Sequence, residues 1–387
     1  MTDKIDGSGM EQRFKLGVLF YFNPNWMGGI NYIINIVKTL NFLKDKEKPE
    51  IFLFYQPRNS KYVNEINYPY LNRIKWDFPL IFSGNITSII KRRNIFIERV
   101  LDSYELDAIF PLIDFPVRTA TAVKLLGWYA DLQHEHYPEF FTKRKILERT
   151  LRIKLILRNC TDLVVSSKAV ADDFHRFFTF KERMKIHIFH FVSVIDDFED
   201  LDIDELRARY KLPDDYYLIS NQFHNHKNHR VLLKTLALMK KEGVEVHMVM
   251  TGRFPDANHS PYMRELHSLI NENDLESNIS MLGVIPRNEQ LLLMRNARAV
   301  IQPSLFEGWS TVIEDAISLQ VPVIASSLPV NIEQLGRGGC YFEPDDYISL
   351  ARILTNYPDR EPGKMIYPEY SGRVRAAAEN LMSIFKS

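Results

Sequence analysis

A chain of 387 residues is longer than one hydrophobic core usually serves, so two domains are expected. Hydrophobic residues at 45% and charged residues at 25% exclude a disordered or fibrous protein. Lys plus Arg equals Asp plus Glu at 49 each, so no net charge recruits nucleic acid, and only a mild asymmetry remains: residues 1–200 hold 29 basic and 25 acidic side chains against 20 and 24 in the remainder, which makes the first half the one to approach an anionic surface.

The polar lead MTDKIDGSGMEQRFK lacks the apolar stretch of an export signal, and no later run nears the roughly 18 apolar residues of a membrane span. Phe14 to Phe22 then reads as a buried strand, NPNWMGG as a loop and INYIINIVKTLNFL as a helix. Short apolar runs at 51–56, 108–112, 125–130 and 162–167, with helix-like segments between them, continue an alternation that builds a parallel sheet with crossover helices. Cys160 and Cys340 are too few and too far apart for a disulfide framework or a zinc site, which points to a reducing, cytoplasmic setting.

From Val194 to Asp215 the pattern changes to acidic residues, a short helix and Pro213. The alternation restarts with strands expected at 216–221, 244–252, 278–283, 299–304, 321–326 and 339–344. The expected fold class is α/β, two Rossmann-like doubly wound domains facing a central cleft. Their expected bounds are 1–195, a connection over 196–213, 214–370, and a C-terminal helix over 371–387.

Several stretches carry chemistry. In QPSLFEGWSTVIEDAISLQVPVIAS, a strand, a Gly-Trp turn and a helix set two acids, Glu307 and Glu314, beside a helix N-terminus, where free N–H groups and the dipole favour anions. Thr311 followed three residues later by Glu314 also fits a capping box. HNHKNH offers His224, His226 and His229 beside Lys227, but no nearby carboxylate or cysteine completes a metal site. Asp202 and Asp204 stand at a helix start, where acids suit the dipole. WYADLQHEHYPEFF crowds Asp131, His134, Glu135 and His136 after a strand. Residues 142–158, TKRKILERTLRIKLILR, hold seven basic residues and one acid among apolar ones; they suit either a core helix with a basic edge or a peripheral membrane contact on the inner face of the cell membrane.

FEGWSTVIEDAISLQVPVIAS resembles the signature of the family 4 glycosyltransferases of GT-B fold, in which E-G-F-G-x-x-x-x-E-A precedes a G-x-P-V-I-A-type strand. Gly28-Gly29, SNQFHNHKNH, MTGRFPD and GVIPRNEQLLLMRNARAVIQPSLFEG resemble the family's other segments in order. The resemblance implies retaining transfer of a hexosyl group from a nucleotide-diphospho-sugar to a saccharide or lipid-linked saccharide acceptor, in surface polysaccharide or glycolipid synthesis. It implies no cofactor and no catalytic metal, the departing phosphate itself helping to deprotonate the acceptor. It gives Glu314 the ribose diol, Glu307 the transferred sugar, and Lys227 with Arg253 the phosphates. Asn221 and Gln222 stand where the family keeps an arginine, and Gly28 and Gly29 supply backbone N–H groups. Gly308, Trp309, Ser310 and Thr311 surround the phosphate-facing helix start, while Asp131 and His134 reach the donor sugar. The final helix is implied to cross back to the first domain.

The family places seven residues between its two glutamates, and six separate Glu307 from Glu314. A nucleotide-sugar epimerase of the same fold and a non-catalytic partner subunit are the alternatives. A dehydrogenase is disfavoured, because the first loop lacks GxGxxG.

Overall fold

The computed structural model describes residues 12–23, 26–180, 182–359 and 363–387. Most of the polar lead, and two residues of the NPNWMGG loop, lie outside them. Two parallel sheets organise the chain. The first holds β1 (Lys15–Phe20), β2 (Glu50–Tyr55), β3 (Leu71–Lys75), β4 (Ala108–Leu112), β5 (Lys124–Trp128), β6 (Asp162–Val165) and β7 (Lys185–Ile188), in the order β3-β2-β1-β4-β5-β6-β7. The second holds β8 (Tyr217–Ser220), β9 (Met248–Thr251), β10 (Ile279–Gly283), β11 (Ala299–Gln302), β12 (Val323–Ser326) and β13 (Gly339–Phe342), in the order β10-β9-β8-β11-β12-β13.

Each order reverses direction beside its first strand, between β1 and β4 and between β8 and β11. Crossover helices therefore leave to opposite faces, and a crevice opens at the carboxyl ends of the strands. The central strands are continuous apolar runs, because helices cover both their faces. β3, LNRIK, is one of the two edge strands of the first sheet and is mostly exposed. It has no apolar run to betray it in the sequence.

Phe198, Leu206 and Leu212 pack into the core of the second lobe, so the helix Ile203–Tyr210, expected within the connection, belongs to that lobe. Asp202 caps it, accepting from the N–H groups of Asp204 and Glu205, which accounts for the acidic pair as a helix start. The last helix, Tyr370–Lys386, returns to the first lobe. Its Val374, Ala378, Leu381 and Phe385 are buried there beside Ile33, Val37 and Phe110.

Candidate active site

The lobes face each other across a cleft of about 1560 Å³, room for more than one small substrate. Its lining comes mainly from the segments that follow β1, β5, β8, β9, β10 and β11, with contributions from those after β2, β4 and β7, the crevice that both strand orders create.

On the second lobe, β8 ends in Ser220 and Asn221, and the next turn carries His224, His226 and Lys227 to the cleft. The following strand closes on it through Gly252, whose φ is +135° and whose Cβ would stand 2.2 Å from the Asn221 carbonyl oxygen, so only glycine fits. Lys227 Nζ donates to Glu307 Oε1 at 2.5 Å. Gln302 Nε2 and Ser304 Oγ donate to the same oxygen at 2.6 Å each. Three donors from two loops thus fix a carboxylate that is nearly buried. Burial, and then the Lys227 charge, push the His226 imidazole down to about 3, so it meets the cleft neutral.

The signature helix, Thr311–Ser318, begins one residue earlier than a Thr311 cap requires. Ser310 is the cap, its hydroxyl accepting from the N–H of Ile313, and Thr311 is the first helical residue. Glu314 points away from the cleft. Gln334 Nε2 donates to its Oε1 at 2.8 Å, and the Arg373 guanidinium donates to its Oε2. The same Gln334 bonds the backbone N–H and carbonyl of Ser310. Burial raises the Glu314 carboxyl above the ordinary carboxylate range, against the pull of Arg373. Glu314 is therefore held by interior partners and does not line the cleft.

Its neighbour Asp315 does line the cleft. Arg287 grips it with two bonds, Nη1 to Oδ2 at 2.7 Å and Nη2 to Oδ1 at 2.5 Å, and Ser193 from the first lobe donates to Oδ1. Seven residues separate Glu307 from Asp315, and Asp315-Ala316 stands where the signature has its E-A. Counting back from Val-Pro-Val would have found it in the sequence. The spacing is intact, with aspartate in place of the second glutamate.

On the first lobe, the helix Met27–Leu40 starts before the Gly-Gly pair. Gly29 N–H already donates to the Trp26 carbonyl, and a Cβ there would stand 2.6 Å from the Trp26 ring. This glycine makes room for the indole and does not line the cleft; Gly28 does. Trp26 stacks on Trp128, and Trp128 on Tyr32, at 5.7 and 4.4 Å between centroids, an aromatic wall. Asp131 lines the cleft, held by Arg149 at 2.9 Å. His134 is buried outside the lining, and burial, followed by the Arg149 charge, pushes its pKa down to about 4. A helical turn inward has carried it off the cleft. Gln222, Arg253, Trp309, Ser310 and Thr311 line the cleft, whereas Gly308 does not.

Gly308 instead joins the lobes. A Cβ on it would stand 2.5 Å from the Ala130 carbonyl oxygen. Trp309 stacks on His190 at 4.5 Å and donates from Nε1 to the Phe191 carbonyl at 3.0 Å, and Tyr137 Oη donates to the Leu305 carbonyl at 3.1 Å. Among the described residues, no group of three or more His, Cys, Asp or Glu is placed to hold a metal ion.

The profile of the glycosyl transferases of group 1 matches residues 202–362. Those residues form a group 1 glycosyltransferase domain. They comprise the second lobe from its Asp202 helix cap to beyond β13. Among curated proteins, the chain is 26% identical over 316 residues to the putative glycosyltransferase EpsF of Bacillus subtilis, covering 77% of this chain and 76% of the relative. It is 24% identical to the O-antigen chain mannosyltransferase RfbU of Salmonella typhimurium, over 58% of each chain. Among solved structures, Anabaena HepE in complex with UDP-glucose superposes with a TM-score of 0.60 at 17% identity, over 96% of this chain and 97% of the other. Sucrose-phosphate synthase of Thermosynechococcus elongatus gives 0.62 at 16%, over 97% and 94%. The whole chain, with the group 1 domain as its second lobe, has the GT-B fold.

Proposed function

We infer that this glycosyltransferase moves a hexosyl group, with retention, from a nucleotide-diphospho-sugar to a saccharide or lipid-linked saccharide in the synthesis of a surface polysaccharide or glycolipid. One observation carries the reading: Glu307 and Asp315, seven residues apart, both reach the same cleft, one fixed by Lys227 and the other by Arg287.

In this reading Asp315 takes the ribose diol, a role its two-pronged grip by Arg287 preorganises. Glu307 faces the transferred sugar. Cleaving the sugar-phosphate bond builds negative charge on the diphosphate, met by Lys227, by Arg253 and by the free N–H groups at the start of the Thr311–Ser318 helix. Positive character on the sugar ring faces the Glu307 carboxylate. The departing phosphate oxygen takes the acceptor proton, so no separate base is required. The interlobe contacts of Gly308 and Trp309 keep water from competing with the acceptor.

HepE is seen with UDP-glucose, and RfbU is a mannosyltransferase; both support a hexosyl donor. The aromatic wall of the first lobe favours transfer over epimerisation, which needs no acceptor. A thermal-shift panel of UDP-, GDP-, TDP- and ADP-sugars identifies the donor, since a ligand that binds only the folded chain raises its melting temperature. Proton NMR of the product formed with a saccharide acceptor then reads the anomeric configuration. An inverted product overturns retention, and an isomerised donor with no acceptor consumed overturns transfer.

A further inference from the structure

The first lobe carries a helix turned inside out. Ile81–Lys91 rests on the body through Gly84 and Ser88, its two buried residues, and Gly84 sits so close to Phe96 that a Cβ would stand 2.5 Å from the ring. The large apolar side chains face away. Leu80, Phe82 and Ile90 are 79%, 81% and 76% exposed, with Ile86 and Ile89 beside them about half exposed. Leaving them in water forgoes the gain that burying apolar surface brings. Single exposed apolar residues are ordinary on a protein surface, but a contiguous set on one helix marks a contact.

The helix runs into Lys91, Arg92 and Arg93, all exposed, and no acid occurs between Asp77 and Glu98. A second helix, Lys143–Asn159, approaches the first over one buried carboxylate, Asp114: Arg152 pairs with it at 3.2 Å, and Asn85 of the first helix lies near enough to help lower its pKa. Along its outer side run Arg144, Leu147, Leu151, Lys154 and Arg158, all exposed, at the three- and four-residue spacing of one helix face.

We propose that residues 80–93, flanked by the outer face of the Lys143–Asn159 helix, dock on an anionic lipid bilayer. Phe82, Ile86, Ile89 and Ile90 enter the boundary between headgroups and acyl chains. The cations at both helices sit at phosphate level, where the negative surface potential of an anionic leaflet attracts them. Charge decides the occupant, because a second copy of this chain would bring the same cationic run against itself. Among the described residues no helix is long and apolar enough to cross a membrane, so the contact lies in the surface plane.

The opposite face of the Lys143–Asn159 helix carries Lys145, Arg149 and Arg152 into the cleft. A docked bilayer therefore stands beside the first-lobe side of the cleft, where a lipid-linked acceptor would enter. Only this last consequence rests on the function inferred above; docking itself does not.

Sedimentation of the full chain with vesicles tests it without donor or acceptor. Binding is expected to vesicles of phosphatidylcholine mixed equally with phosphatidylglycerol, not to phosphatidylcholine alone, and to fall at least tenfold at raised salt. Phe82→Ser with Ile90→Ser, and separately Lys91→Glu with Arg92→Glu, are expected to reduce it at least tenfold while circular dichroism and melting temperature stay unchanged. Equal sedimentation of these variants and the parent overturns the proposal. So does light scattering that shows a dimer dispersed by Phe82→Ser with Ile90→Ser, which assigns the face to a second copy. Loss of vesicle binding with transfer to a soluble saccharide intact separates this surface from the cleft chemistry.

Discussion

Glu314 and Asp315 are neighbours in the chain that face different partners, one the interior and one the cleft. The first is locked to Arg373 and Gln334 in the interior, and the second is held open to the cleft by Arg287. Successive residues of a helix point about 100° apart, so two adjacent acids are divided between anchoring and binding.

Their substitutions are expected to differ in kind. Glu314→Ala leaves the half-buried Arg373 without its carboxylate, a loss of about 1–3 kcal/mol, and lowers the melting temperature of the unliganded protein while its rise with nucleotide-sugar persists. Asp315→Asn weakens donor affinity about tenfold or more and suppresses that rise. A nucleotide-induced rise lost in Glu314→Ala and kept in Asp315→Asn would reverse the assignment.

Glu307→Gln keeps a side chain for Gln302 and Ser304 but removes the charge facing the sugar ring. Its turnover is expected to drop about a hundredfold with little change in donor KM. Lys227→Met removes the ammonium from the phosphates and should show in both donor KM and turnover. Steady-state kinetics with the donor found by thermal shift distinguishes the two patterns.

Gly308→Ala places a methyl against the Ala130 carbonyl. The lobes must part to admit it, so the radius of gyration in small-angle scattering is expected to increase and turnover to fall, with secondary structure unchanged. Full turnover in this variant would show that chemistry proceeds without the contact.

Burial holds His134 at about 4, and His226 and His229 at about 3, against an ordinary 6.5. In each case the unfolded chain takes up protons first as pH falls, so the stability these groups leave intact above about pH 6.5 declines below it, down to the folded pKa. The slope is about 1.4 kcal/mol per pH unit for each group. Melting temperature is expected to fall between pH 6.5 and 5, before most carboxylates titrate. A flat profile over that window would show the imidazoles to be solvated.

Most strands were legible because a buried parallel strand is a continuous apolar run: 108–112 is expected and observed over the same residues. β3 was not, since an exposed edge has no such pattern. Lys227 and Glu307 meet in the cleft, a placement that their flanks at strand ends made legible. Asp315, which lines the cleft where Glu314 does not, was passed over because a search for two glutamates ignores register, and register decides which side of a helix faces the cleft. His134 was misplaced for a related reason: its turn, Gln133–His136, rotates it inward, and local sequence does not announce that rotation. The apolar face of Ile81–Lys91 went unread because outward and inward stripes look alike until a neighbour is known.

The helix Tyr370–Lys386 belongs to the first lobe's interior although some 180 residues separate it from that lobe's last strand, β7. During synthesis on the ribosome, the first half to emerge must wait with Ile33, Val37 and Phe110 uncovered while the second half is made and folds. The lobe begun first is the lobe finished last, and chaperone dependence is expected to concentrate there.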